Sequence, residues 1–162
     1  IPRGMTEEQI LNLLVAQFHK QFTPDKEARA AAMGLSVRDT IILASLVEKE
    51  AKIDSDRPLI ASVFFNRLKL DMPLQSDATI QYILNELKPE LSVQDTEIPS
   101  PYNTYQNRGL PPGPIANPGL KAIDAVLYPA ESDYLYFVAD QQGVNHFSRI
   151  YEDHLVTVSQ VR

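Results

Sequence analysis

Apolar positions recur along most of this chain with the three-to-four-residue spacing of amphipathic helices. In MTEEQILNLLVAQFHKQF (5–22), Ile10, Leu13, Leu14 and Phe18 share one helical face, and Thr6 and Gln9 stand at capping-box spacing ahead of them. TPDKEARAAAMG (23–34) offers Thr23 as a cap, Pro24 at a first helical position and Gly34 as a stop, the marks of a short second helix. SVRDTIILASLVEKEAKI (36–53) has Ser36 and Asp39 at capping spacing and then two apolar turns, so a third helix is expected. DRPLIASVFFNRLKL (56–70) predicts a fourth, with Pro58 near its start and Leu59, Ile60, Val63, Phe64 and Leu68 as its core stripe. SDATIQYILNELKP (76–89) predicts a fifth, capped by Ser76 or Asp77 and ended by Pro89.

Periodicity then fails from Leu91 to Asn117, where a dense share of the chain's 12 prolines gathers. An irregular stretch of that length is unusual in a compact domain unless it lines a site. Helix resumes in NPGLKAIDAVLYP (117–129), with Asn117 as cap and Pro118 at the first position. DYLYFVAD and NHFS flank a QQG turn as two short strands, and YEDHLVTVSQVR closes the chain as a helix. The fold class expected is α+β and mainly helical, with a small antiparallel β-hairpin and a long Pro-rich loop.

Composition narrows the chemistry. At 162 residues, with 44% hydrophobic and 22% charged residues, the chain can bury a core without disulfides or metal, and it is expected to form one domain, 1–162. A net charge of -6, with no cluster of Lys and Arg, argues against a nucleic-acid partner. The absence of cysteine excludes a thiol nucleophile and a CxxC zinc site. His19, His146 and His154 do not fall at metal-ligand spacing, so no metal is expected. No apolar run reaches a membrane-spanning length, yet the chain opens at Ile1 and enters helix at once, the expected look of a piece cut from something longer.

The candidate chemistry sits in LVEKEAKI (46–53), which carries Glu48 and Glu50. On a wheel of about 100° per residue with Leu43 at zero, the apolar arc runs from roughly 260° to roughly 40°, and Glu50 falls inside it at about 340°. Glu48 falls near ~140°, four residues before Lys52, the favourable order for an exposed helical ion pair. Glu48 is therefore expected at the surface. A carboxylate on the apolar face must find a partner, protonate, or face a cleft, and desolvation would raise its pKa toward that of a general acid. Two plain alternatives stay open: an ion pair to Arg57 or Arg67, or a helix end emerging into solvent.

Two other polar clusters stand out. MPLQSDAT puts Gln75, Ser76 and Asp77 at a loop-to-helix junction, where they either cap the helix or face a cleft. SPYNTY puts Tyr102, Asn103, Thr104 and Tyr105 before the Pro-rich GLPPGPIANPG. Rings that stack on sugars and amides that bond hydroxyls suit a glycan cleft; the alternative is a structural loop held by Asn103 to backbone. His146 could line the same cleft, although a half-exposed strand histidine is the commoner case. GxSxG, P-loop and GxGxxG motifs are all missing.

Taken together, LASLVEKEA, RPLIASVFFNRLKLDMPLQSDATIQY, SPYNTYQNRGLPPGPIANPGLKAI and DYLYFVAD with HFS after it resemble the YceG-like (MltG-type) family of endolytic murein transglycosylases, across roughly residues 36 to 155. The resemblance implies a lysozyme-like catalytic core with Glu50 as its acid, and Gln75, Tyr102 and Asn103 as elements lining the cleft. Ser76, Asp77, Thr104 and Tyr105 lie in the same motifs. It further implies cleavage of the β-1,4 bond between N-acetylmuramic acid and N-acetylglucosamine in peptidoglycan glycan strands, without a cofactor, leaving 1,6-anhydro ends. An N-terminal transmembrane helix and a LysM-like domain would belong to the parent. That parent would work at the outer face of the bacterial inner membrane, with peptidoglycan synthases as neighbours. Asp77 is the candidate second carboxylate if the activity is instead hydrolytic. A glycan-binding module without turnover is the rival from another class, and Glu50 on an apolar face argues against it. A pyridoxal phosphate lyase is a further rival, but none of Lys49, Lys52, Lys69 or Lys121 has a recognisable Schiff-base setting.

Overall fold

The computed structural model describes every residue except Ile1, Arg3, Pro89 and Arg162. Its helices are α1 (Glu7–Gln21), α2 (Pro24–Ala32), α3 (Val37–Glu50), α4 (Arg57–Lys69), α5 (Asp77–Leu84), α6 (Val93–Thr96), α7 (Leu120–Leu127) and α8 (Tyr151–Val161). Strands β1 (Tyr136–Ala139) and β2 (Asn145–Ser148) form an antiparallel hairpin that pairs Phe137 with Phe147 and Val138 with His146. The class is thus α+β and mainly helical, as expected.

Local signals account for several boundaries. Thr6 with Gln9, and Ser36 with Asp39, each close a reciprocal capping box at the starts of α1 and α3. Pro24 and Pro58 sit in the first turns of α2 and α4, where a missing N–H costs nothing. Gly34, at φ +75°, takes the left-handed turn that leaves α2.

Other boundaries differ from expectation. α3 stops at Glu50, because Ala51 turns to extended backbone (φ -81°, ψ 117°). α5 ends at Leu84 with Asn85 in the left-handed region (φ 55°), a conformation asparagine tolerates; Pro89, the expected stop, lies outside the described residues. α7 is capped by Gly119 rather than Asn117, so Pro118 precedes the helix instead of opening it. Inside the stretch expected to be irregular, Ser92 and Asp95 cap the four-residue α6.

The core gathers around α3. Leu43, Leu46 and Val47 of α3, Ile60 and Phe64 of α4, and Val126 and Leu127 of α7 are all buried in one cluster. α2 is stapled to α7 by Lys26–Asp124 (2.5 Å) and by Arg29 Nε donating to the Leu127 carbonyl (2.9 Å). α1 contributes little to this core: Leu13 and Leu14, expected on its buried face, are exposed, and no residue of the helix is buried. Its periodicity is real, but of that face only Phe18 packs against the core, stacked on Phe22, while Leu13 and Leu14 stay uncovered by the described residues.

The Pro-rich loop is clamped onto α3. Ser45 Oγ accepts from the Ile115 N–H (3.0 Å) while donating to the Ile42 carbonyl, and Arg38 Nη2 donates to the Pro112 carbonyl (2.6 Å). Prolines remove backbone donors and limit φ, so two side-chain anchors, one in the first turn of α3 and one near its middle, tie the loop along the helix.

Candidate active site

Glu50 is the last residue of α3, where the apolar face of the helix meets the start of α5. Its Oε1 accepts from the Ser76 hydroxyl, a short contact, and from the Ala78 N–H at 3.4 Å. Neither expected cation reaches it. Arg57 pairs with Glu48 (3.3 Å) and Asp54 (3.1 Å), and the guanidinium of Arg67 is committed to the carbonyls of Pro73, Leu74 and Leu135 and to Gln75 Oε1. Among the described residues Glu50 has no ion pair, and its Oε2 takes no hydrogen bond yet is not sealed from the surroundings. One oxygen is held and the other is presented.

This setting raises the Glu50 pKa to about 7. Desolvation of the carboxylate is the largest cause and the negative charge of Asp77 adds to it, while the Ser76 hydroxyl and Ala78 N–H pull the other way. A carboxyl group that titrates near neutrality exchanges a proton at little cost in either direction, the property that general acid–base catalysis requires.

The QSD junction is built for this contact rather than for capping. Ser76 is the N-cap residue of α5, but its side chain makes no cap bond, because its hydroxyl is turned to Glu50. It is buried and held by a small hydroxyl cluster: its N–H donates to Thr104 Oγ1 (3.0 Å), Thr104 meets Thr79 Oγ1 (2.9 Å), and Thr79 donates to the Ser76 carbonyl (2.7 Å). Gln75 sits at φ +50°, a strained conformation for a non-glycine residue, held by its N–H to the Thr104 carbonyl and by Arg67 on its side chain. Arg67 is itself buried, and desolvation lowers its pKa. It acts as the organiser of the turn that delivers Ser76.

Asp77 is exposed and accepts from the Tyr105 hydroxyl. Burial first, then the charge and hydrogen bond of Asp77, raise the Tyr105 pKa, so the phenol stays protonated as a donor. Tyr102 packs against Tyr82 with ring centres 5.0 Å apart, and its hydroxyl end abuts the Pro-rich loop, where a Cβ on Gly113 would stand 2.8 Å from it.

Two residues expected in the cleft lining belong to its frame. Asn103 is 0% exposed, and its amide donates to the Thr96 and Ile98 carbonyls while its Oδ1 takes the Tyr105 N–H. With both polar ends consumed inside the protein, it holds the SPYNTY turn and has nothing left for a ligand. Thr104 is likewise buried in the hydroxyl cluster. His146 bonds Asp140 across the hairpin turn (2.9 Å).

Glu48 also corrects the expectation of a surface pair with Lys52. It is half-buried, and its Oε2 receives Arg57 and, at 3.1 Å, the Gly119 N–H at the start of α7. The helix ends before Lys52, so the i,i+4 geometry never forms.

Sequence reasoning missed Arg67 as organiser and Ser76 as a partner of Glu50. A signal for the second exists: the third helical residue after Ser76 is Thr79, not the Glu, Gln or Asp that completes a capping box, so the serine has no reciprocal partner.

A family model described as the YceG-like family matches residues 1–160. The chain belongs to the YceG-like family. Among YceG-like relatives, a Bacillus subtilis (strain 168) protein named endolytic murein transglycosylase is 48% identical over 74% of this chain and 33% of its own length. A protein of the same name from Streptococcus pneumoniae serotype 2 is 41% identical over 95% of this chain and 29% of its own. A crystal structure of a yceG-like protein from Listeria monocytogenes superposes with a TM-score of 0.89 at 41% identity, covering 96% of this chain and 51% of that one. This YceG-like chain therefore spans about a third of the length of the curated relatives it matches.

Proposed function

We propose that this chain is the catalytic domain of an endolytic murein transglycosylase, with Glu50 as both acid and base. The observation that carries the reading is the Glu50 carboxyl itself: desolvated, without a cation, anchored through Oε1 and free at Oε2. Near neutral pH about half of these carboxyls carry a proton, given a pKa of about 7. From Oε2 that proton passes to the glycosidic oxygen between N-acetylmuramic acid and N-acetylglucosamine, and the bond to C1 breaks. The resulting carboxylate then takes the proton of the muramyl C6 hydroxyl as that oxygen closes on C1. A 1,6-anhydro ring forms without water, and Glu50 ends as it began.

Gln75, Tyr102, Asp77 and Tyr105 would line the cleft, with the tyrosines facing sugar rings and the Tyr105–Asp77 pair beside the developing charge. The test is mass spectrometry of products from uncrosslinked glycan strands. Anhydro-muramyl ends from the native chain, absent with Glu50→Gln, support the reading. Reducing ends would make it a hydrolase with Asp77 as the second carboxylate, and intact strands would leave a binding module.

Murein lies outside the cytoplasm, and the same reading puts this domain there. Among the described residues no single helix is long and apolar enough to cross a membrane. The anchor and LysM-like domain would then belong to the parent, and peptidoglycan synthases would be neighbours; co-purification from membranes with the parent protein tests that partnership.

A further inference from the structure

Acid chemistry at Glu50 leaves a neighbouring groove unused. It has a volume of about 340 Å³ and lies between the end of α3, helix α5 and the Pro-rich loop, lined among others by Lys49, Ala78, Tyr82, Glu86 and Ile115. Ala78 joins the two sites, because its N–H bonds Glu50 while its side of the helix forms the groove wall.

Its lining has a specific chemistry. Tyr82 is 46% exposed and packs beside Tyr102, with ring planes tilted by 42°, so its open side offers an aromatic surface to the face of a sugar ring. Lys49 is exposed and, like Lys20, Lys52 and Lys69, has no carboxylate partner among the described residues; of these four it is the one that lines the groove. In a chain of net charge -6, a lone ammonium beside a ring platform selects for a ligand carrying negative charge. Glu86, on the same groove, opposes that selection.

We propose that this groove is a subsite for a carboxylate-bearing muramyl residue, with Tyr82 under its ring and Lys49 against its charge. The proposal rests on the murein reading and names a part of the substrate that Glu50 does not touch. The carboxylate has two sources, the lactyl group of an unsubstituted muramyl sugar or the stem peptide attached to it, and both present the same group to an ammonium.

The experiment is isothermal titration of the Glu50→Gln chain, which leaves ligand uncut. The probes are three tetrasaccharides: GlcNAc–MurNAc repeats with free lactyl groups, the same repeats carrying stem peptides, and neutral chitotetraose. Adding Lys49→Met should weaken at least one anionic probe by about three- to fivefold relative to chitotetraose, with the difference shrinking at high salt. Adding Glu86→Gln should shift the same ratio the opposite way by about twofold. The anionic probe that loses more to Lys49→Met identifies the source of the carboxylate. Equal effects on all three probes, no effect of Lys49→Met, or no binding of any probe would each overturn the proposal. Failure of the murein reading shows separately, as the lack of anhydro ends with Glu50 intact.

Discussion

Glu48 and Glu50 leave the same final turn of α3 and solve the problem of a carboxylate near a core in opposite ways. Glu48 turns toward α4 and α7, where Arg57 and the Gly119 N–H neutralise it and it ties three elements together. Glu50 turns toward α5 and receives hydrogen bonds without a countercharge, while the Asp77 carboxylate nearby works against its ionisation. A paired carboxylate is a structural part, and an unpaired desolvated one holds its proton loosely near pH 7. Two residues of separation put the chain on either side of that division.

The sharpest way to break this comparison is to remove the proton. Glu50→Gln should cut anhydro-product formation by about 10²- to 10⁴-fold while the circular dichroism spectrum stays native. Glu48→Gln is expected to retain most activity per folded molecule; equal losses in both variants would end the distinction between them.

The second effect is on stability. With its pKa near 4.5 when unfolded and about 7 when folded, Glu50 binds more protons in the native state between those values, so native stability falls as pH rises from 4.5 to 7. Glu50→Gln removes that fall, and at pH 8 it should be more stable than the native chain by about 3 kcal/mol, while at pH 4 the two should agree. Urea titrations at the two pH values measure it, and parallel losses in both proteins would mean that Glu50 is not the group responsible.

Glu48→Ala should cost about 1 to 2 kcal/mol, because it leaves the mostly buried Arg57 with only Asp54 and frees the Gly119 N–H. Thermal unfolding checks this, and a change near zero would return Glu48 to the surface role its position on the wheel suggested.

The smallest effects are the most discriminating. Activity that needs protonated Glu50 declines as pH rises through its pKa. Ser76→Ala removes a hydrogen bond that favours the ionised form, so the decline should move to higher pH by up to about one unit. Asp77→Asn removes a repelling charge and should move it to lower pH. Shifts of the same sign would show that these residues act through general disruption.

Much of this was legible in the chain. The capping boxes at Thr6 and Ser36, the prolines at helix starts and the place of Glu50 on the apolar arc depend on groups within one turn of each other, and short-range geometry is written in spacing. α1 marks the limit of that logic, since periodicity identifies a helix with an apolar face but not what lies against it.

What tertiary structure decided were the partners. Ser76 lies 26 residues from Glu50, and Gly119 lies 71 from Glu48. No spacing rule connects such positions, so a serine at a helix start reads as a cap and a glutamate four residues before a lysine reads as a surface pair. Asn103 likewise passes for a ligand-binding amide until its carbonyl partners appear. Whether a polar side chain is consumed inside the protein or left for a substrate depends on desolvation and on contacts between distant segments. The chain by itself could say where a carboxylate was out of place, and only the packed fold decided which one had no countercharge.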